Sequence, residues 1–227
     1  MRVITGSARG TNLASVPGEG TRPTADRVKE AVFSMLQFDI EGRDVLDLFA
    51  GSGQLAIEAL SRGAERATLV DMSREATDVI AANAKKTHLL GRCRILNTSF
   101  SSFLRGAAGR ETFDIIFLDP PYDSNMLPKA LRAIDEGGIL ALGGTVVCET
   151  DCDVPVRAAR LRHDEAKEAE RIFTDVFGGD EALRARYAVL KSTLYGRTRI
   201  TLLAAAPESE ESPEEPDAPA EPEEDDA

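Results

Sequence analysis

Few residues of this chain can carry redox or metal chemistry. Its 227 residues include three cysteines, Cys93, Cys148 and Cys152, and two histidines, His88 and His163. Three cysteines make no disulfide framework, and these five side chains assemble no metal-ligand set. No apolar signal core opens the sequence, and no apolar run approaches the ~20 residues that span a bilayer. The expectation is a soluble protein of the reducing cytoplasm with no membrane partner. Basic residues are missing from one end altogether. From Pro207 to Ala227 there are eleven Asp or Glu and no Lys or Arg. The formal net charge of −12 belongs to that stretch, because without it 28 acidic residues face 27 basic ones. A segment of Glu, Pro, Ala and Asp has almost nothing to bury, so 207–227 reads as a disordered acidic tail. Solubility is its default role, and an electrostatic stand-in for nucleic acid is the alternative.

What is present is one domain over 1–206. Residues 1–22 form an arm or small hairpin, 23–38 a helix, and 44–206 an α/β core with a charged insertion at 160–186. Thr24 caps the helix, whose apolar face is Val28, Ala31, Val32, Met35 and Leu36, with Arg27, Lys29 and Glu30 on the other side. Strands are expected at 45–49, 67–71, 94–97, 113–118 and 144–149, with helices following Gly53, Ser73 and Asn125. Charged helices at 166–173 and 181–186 lead to an antiparallel hairpin, Ala188–Leu194 and Arg197–Leu203, around Tyr195-Gly196. Strand–helix alternation of this kind argues for an α/β fold with a mostly parallel sheet.

Asp119-Pro120-Pro121-Tyr122 carries the most chemistry. Two prolines cannot continue the ladder of the strand before them, so that strand must end in a rigid rim. The rim holds a carboxylate, outward carbonyls and an aromatic face, the parts that grip a flat, amine-bearing base. Upstream, Asp47-Leu48-Phe49-Ala50-Gly51-Ser52-Gly53 joins the first strand to a helix. Gly51, Gly53 and Ala56 match G-x-G-x-x-A, and Asp71 ends the next strand 18 residues after Gly53. On paper this is a dinucleotide fingerprint. Asp47, however, is poorly placed beside a pyrophosphate and well placed beside the cationic aminoacyl group of S-adenosylmethionine. No hydride-transfer set follows the loop, whereas a base-gripping rim does. Asp71 suits the ribose diol of either cofactor. Asp47, Gly51, Asp71, Ser99 and Asp119 all fall at strand carboxyl ends, where open α/β sheets bind ligands.

These segments resemble the ribosomal RNA small-subunit methyltransferase D family. The resemblance rests on Gly20-Thr21-Arg22-Pro23-Thr24-Ala25-Asp26-Arg27-Val28-Lys29-Glu30, the glycine loop, Glu58-Ala59-Leu60-Ser61-Arg62-Gly63-Ala64 and the DPPY stretch. It covers residues 1–150 and the final hairpin. It implies a Rossmann-like class I methyltransferase fold of seven strands. The implied reaction is S-adenosylmethionine-dependent methylation of guanine N2 in 16S rRNA, acting on an assembling or assembled small subunit as a monomer. By that resemblance Asp119, Pro120 and Tyr122 are catalytic. Asp47, Ala50, Gly51, Gly53, Asp71, Ser99, Phe100 and Asp119 hold the cofactor. Arg9, Arg22, Thr24, Arg27, Lys29, Pro121 and Tyr122 meet the substrate. Asp71 stands where the family has Glu, and Ser99 where Asp or Asn is usual, which shifts the adenine contact to the backbone of Ser99 and Phe100. The insertion and the tail are additions to the family pattern. The alternatives are another amino-methyltransferase (DNA adenine or cytosine, or a protein glutamine), an NAD-dependent oxidoreductase, and a non-catalytic RNA-binding assembly factor.

Overall fold

Strands apolar on both faces need helices on both sides, and the chain supplies them. The structure, a computed structural model, describes residues 1–17, 24–36, 39–121, 125–151 and 165–207. Seven strands make one sheet: β1 (Asp44–Asp47), β2 (Arg66–Asp71), β3 (Cys93–Asn97), β4 (Phe113–Leu118), β5 (Leu140–Asp151), β6 (Tyr187–Tyr195) and β7 (Thr198–Ala205). Their spatial order is β3-β2-β1-β4-β5-β7-β6. The first five pair in parallel, and β7 runs antiparallel to both β5 and β6. The helices are α1 (Thr24–Met35), α2 (Gln54–Ser61), α3 (Arg74–Lys86), α4 (Phe100–Ala107), α5 (Met126–Glu136), α6 (Glu165–Phe177) and α7 (Glu181–Ala185).

Adjacent strand residues feed opposite faces. Val45 and Phe117 join a core with Val28, Val32 and Phe33 of α1, Ile57 and Leu60 of α2, and Val3 and Leu13 of the amino-terminal arm. Leu46 and Ile116 join the other core, with Leu104 of α4, Leu131 of α5, Val176 of α6 and Leu183 of α7. The Phe33 and Phe117 rings lie 5.9 Å apart at a tilt, and the Arg62 guanidinium sits 4.7 Å over Phe33. Such a ring pair contributes about 0.5–1.5 kcal/mol beyond its buried area, which helps seat α1 on the sheet.

The arm closes on itself by a single bridge between Arg2 and Asn12 and packs along α2. Glu58 of α2 holds it there. This wholly buried carboxylate accepts from the amides of Ile4 (2.8 Å) and Thr5 (3.0 Å), and pairs with Arg62 (2.9 Å) and Lys29 (3.5 Å). Gly6 fits so tightly that an added Cβ would lie 1.7 Å from the Ser61 carbonyl oxygen.

Most predicted elements are present, with four differences. β1 stops at Asp47 because the glycine turn begins early. β5 starts at Leu140, ahead of a register shift against Phe113 and Ile115 that absorbs Gly143 at positive φ. Helix α4 was not anticipated; Ser99 caps it by accepting the Ser102 amide at 3.2 Å. The hairpin turns at Gly196-Arg197, since Tyr195 still pairs with Thr198. Cys148 is buried in β5, where burial pushes its thiol far up, away from reactivity. Arg22, Tyr122, Cys152, His163 and the tail from residue 208 lie outside the described residues, as does the Thr24 side chain. Among the described residues no helix is long and apolar enough to cross a membrane.

Candidate active site at the strand carboxyl ends

The strand order reverses at β1, which pairs with β2 on one side and β4 on the other. A crevice opens at such a point because the two crossovers leave in opposite directions. Asp47, the last residue of β1, is in register with Leu69 of β2 and Phe117 of β4. Asp71 and Asp119 each stand two residues further along, roughly 7 Å on at strand rise. Three carboxylates thus step outward from one point, one at the floor and two at the rim.

Asp47 is 1% exposed. The amides of Ala56 and Phe49 donate to its carboxylate, but Oδ1 has no hydrogen-bond partner among the described residues. Burial pushes the carboxyl up from 3.8 to about 7 against those two bonds, and the negative charge of Asp71 adds a smaller push. A buried acceptor of this kind calls for a cation or donor. The ammonium of an aminoacyl group fits it; a pyrophosphate does not.

The loop after Asp47 turns through Gly51 (φ 51°) and Gly53 (φ 77°). Its amides are spent internally: Ala50 on the Val70 carbonyl (3.0 Å), Gly51 on Asp71 Oδ2 (2.8 Å) and Gly53 on the Ala50 carbonyl (2.6 Å). The loop therefore offers a bare backbone surface rather than a nest of donors. Gly53 is also needed for packing, since a Cβ there would meet Leu69 at 3.2 Å and Ile80 at 3.3 Å.

Asp71 accepts the Ser73 amide on Oδ1 at 2.8 Å. Each of its oxygens thus holds one backbone amide and keeps a lone pair for a ribose hydroxyl. Asn97 fixes the turn by donating to the carbonyls of Asp71 (3.2 Å) and Met72 (2.9 Å). Next along the edge, the Ser99 hydroxyl is occupied in capping α4, so only its backbone is available for a ligand. The Phe100 ring packs 5.2 Å from Phe49. On the other side β4 ends at Leu118, Asp119 is half-buried, Pro120 buried and Pro121 exposed, so the two prolines do stop the strand.

The structure brings together Asp47, Ala50, Gly51, Gly53, Asp71, Ser99, Phe100, Asp119, Pro120 and Pro121. It does not bring Arg9. The amides of Ser7 and Ala8 bond the carbonyl and hydroxyl of Ser61, placing that turn at the far end of α2 from the loop. Lys29 is a correction. Expected on the solvent face as a phosphate contact, it is 1% exposed, donates to the Arg2 carbonyl at 2.5 Å and pairs with Glu58. The arm covers the flank of α1 that sequence periodicity leaves open, so Lys29 is structural. Arg27 remains exposed. Two residues were missed. Met72, 76% exposed beside Asp71, presents an apolar surface at the crevice rim. Gln54 opens α2 with a buried Oε1 that has no hydrogen-bond partner among the described residues. An apolar residue directly after a strand-end acid was the available signal for Met72; Gln54 had none.

A separate cleft of about 430 Å³ lies at the opposite edge of the sheet, lined by Asp44, Arg66, Arg94 and Glu111 among others. Its side chains are spent on one another and on backbone, Arg66 with Asp44 at 2.6 Å, Arg94 with Glu111 at 2.5 Å, and Arg92 on the Ala64 and Leu60 carbonyls. The convergent groups with unmet bonding are at the carboxyl edge.

Comparison with known proteins bears on the family and the fold. The conserved hypothetical protein 95 family matches residues 1–177. YlbH of Bacillus subtilis is 44% identical over 155 residues, covering 68% of this chain and 84% of that one. Ribosomal RNA small subunit methyltransferase D of Haemophilus influenzae is 34% identical over 157 residues, covering 69% and 81%. The solved structure of yhhF from Escherichia coli superposes with a TM-score of 0.69 at 29% identity, over 90% of this chain and 97% of that one. On the family match and these identities, the chain belongs to the conserved hypothetical protein 95 family, that of the ribosomal RNA small subunit methyltransferase D proteins.

Proposed function

We propose that the crevice methylates ribosomal RNA with S-adenosylmethionine as donor, at the exocyclic N2 of a guanine in 16S rRNA. The observation that carries this reading is the stepped trio Asp47, Asp71 and Asp119, with a buried, unpartnered oxygen at its floor. Asp47 faces the cationic aminoacyl end of the cofactor, Gly51 and Gly53 let the backbone approach it, and Asp71 takes the ribose diol. Met72 and the Phe100 backbone flank the adenine.

S-adenosylmethionine, when bound, supplies an electrophilic methyl group. Guanine N2 is a poor nucleophile because its lone pair is delocalised into the ring. The Asp119 carboxylate and the Pro120 carbonyl accept hydrogen bonds from that amine and localise the lone pair. As positive charge grows on nitrogen, the half-buried Asp119 carboxylate stabilises it, and one aimed group of this kind is worth roughly 3–4 kcal/mol. Tyr122 stacks on the base, worth about 1–3 kcal/mol by analogy with single-strand binding. The guanine must be unpaired or flipped to reach this depth. Arg22, Thr24, Arg27 and Pro121 are the further substrate contacts of this reading. The near-neutral body supports a substrate presented within the small subunit, met by a monomer.

The test is methyl transfer to free 16S rRNA and to small subunits, with the labelled atom mapped. Asp119→Ala should lower transfer at least about a hundredfold while calorimetric affinity for S-adenosylmethionine is kept. Near-normal turnover in that variant, or label on an atom other than guanine N2, overturns the assignment.

A further inference from the structure

Asn83 stands on the buried face of α3, where helical periodicity asks for an apolar side chain, and it is 1% exposed. Its Oδ1 accepts the Ala14 amide at 2.8 Å. Its Nδ2 donates to the Ala14 carbonyl at 3.0 Å and to the Ser52 carbonyl at 2.9 Å. Ala14 closes the amino-terminal arm, and Ser52 lies between the two glycines of the cofactor loop. Neither residue belongs to a helix or strand, so neither has regular pairing to hold it. Only a carboxamide can do this job. It sets a donor and an acceptor side by side against one backbone residue and keeps a second N–H for another. Leucine would leave all three backbone groups without these partners, and aspartate would press a negative charge on two carbonyls. The arm also reaches the loop a second way. Met1 Sδ lies 3.8 Å from Ser52 Oγ, and the Met1 carbonyl accepts the Leu13 amide at 3.0 Å.

We propose that Asn83 is a positioning residue that couples the cofactor loop to the amino-terminal arm. A ligand that orders residues 51–53 then also orders residues 11–16, and by reciprocity an ordered arm tightens the loop's hold on the ligand. The chain runs from the arm directly into Gly20–Arg27, the sequence that carries the proposed RNA contacts. The inference rests on the reading that the loop holds S-adenosylmethionine.

Hydrogen exchange on the full chain, with and without saturating S-adenosylhomocysteine, tests it. In the wild type the product should slow exchange about fivefold or more both at residues 49–54 and at 11–16. In Asn83→Ala and in Asn83→Asp the loop should keep its protection while the arm falls to within about twofold of its unliganded rate. In both variants KM for S-adenosylmethionine should rise about tenfold with kcat held within about twofold. A wild-type arm indifferent to product while the loop is protected overturns the coupling and leaves the cofactor reading intact. So does arm protection that survives in both variants. A loop that is itself unprotected strikes the cofactor reading, and the coupling falls with it. Should neither variant fold, the wild-type arm decides.

Discussion

A buried carboxyl with one oxygen left without a partner among the described residues resists ionisation, and Asp47 shows the consequence. Its folded value of about 7 lies above the ordinary 3.8 because burial outweighs two backbone hydrogen bonds. Between those values the folded protein keeps a proton that the unfolded chain releases. Stability must then fall as pH rises from about 4 to about 7 and level off above, by roughly 4 kcal/mol at most. Asp47→Asn should lack that decline, so the variant gains on the wild type across the window in urea titrations at successive pH. Parallel curves for the two proteins would show that Asp47 ionises freely. Residues of this kind were readable from the sequence because a strand end and a neighbouring glycine fix where a short side chain points. The positions of Asp71 and Asp119 were readable from the strand ends alone, ahead of Met72 and Pro120. Lys29 was not: periodicity along α1 describes contact with the sheet and says nothing of a second layer laid over the flank.

That second layer is an element with almost no regular structure. The arm has one bridge of its own, and its attachment comes from the Glu58 carboxylate, the Ser61 hydroxyl and the Asn83 carboxamide. Glu58→Ala should cost about 3–5 kcal/mol, since it strands the buried Lys29 charge and frees two amides. In thermal unfolding this is a drop of roughly 6–20 °C for a chain of this size. A Tm within about two degrees of wild type would mean that Ser61, Asn83 and the apolar contacts of Val3, Ala8 and Leu13 hold the arm without Glu58. Glu58 was legible only as part of a motif, because a lone acid in an apolar helix does not name its partners. Helix α4 escaped for another reason. Its stretch Thr98-Ser99-Phe100-Ser101-Ser102 is rich in serines that favour turns, and the cap at Ser99 decides the outcome. The parallel strands were legible because they are short apolar runs between glycine and proline signals.

Across the whole molecule, charge is separated. The body is nearly neutral and the acid lies in the last twenty-one residues. Recognition of RNA must then come from local cations, of which Arg27 is exposed on α1. Arg27→Ala should reduce the slope of log affinity against log salt by about 0.7–0.9, with little change in kcat once RNA is saturating. An unchanged slope would remove Arg27 from the interface.

The antiparallel course of β7 has a practical outcome. Its partners β5 and β6 end with the crevice edge, so β7 starts there and finishes at the other edge, where the Ala206 amide bonds the Arg186 carbonyl at 2.8 Å. Over eight residues that is roughly 27 Å of strand. Met1, by contrast, touches Ser52 beside the glycines. The two ends of the chain are therefore unequal handles. A fluorophore or affinity tag attached at residue 207 starts from the side away from the chemistry, whereas residues added ahead of Met1 crowd the cofactor loop. Amino-terminal fusions should raise KM for S-adenosylmethionine severalfold and carboxyl-terminal ones should not. Equal kinetics for both fusions would show that the Met1 contact yields without consequence.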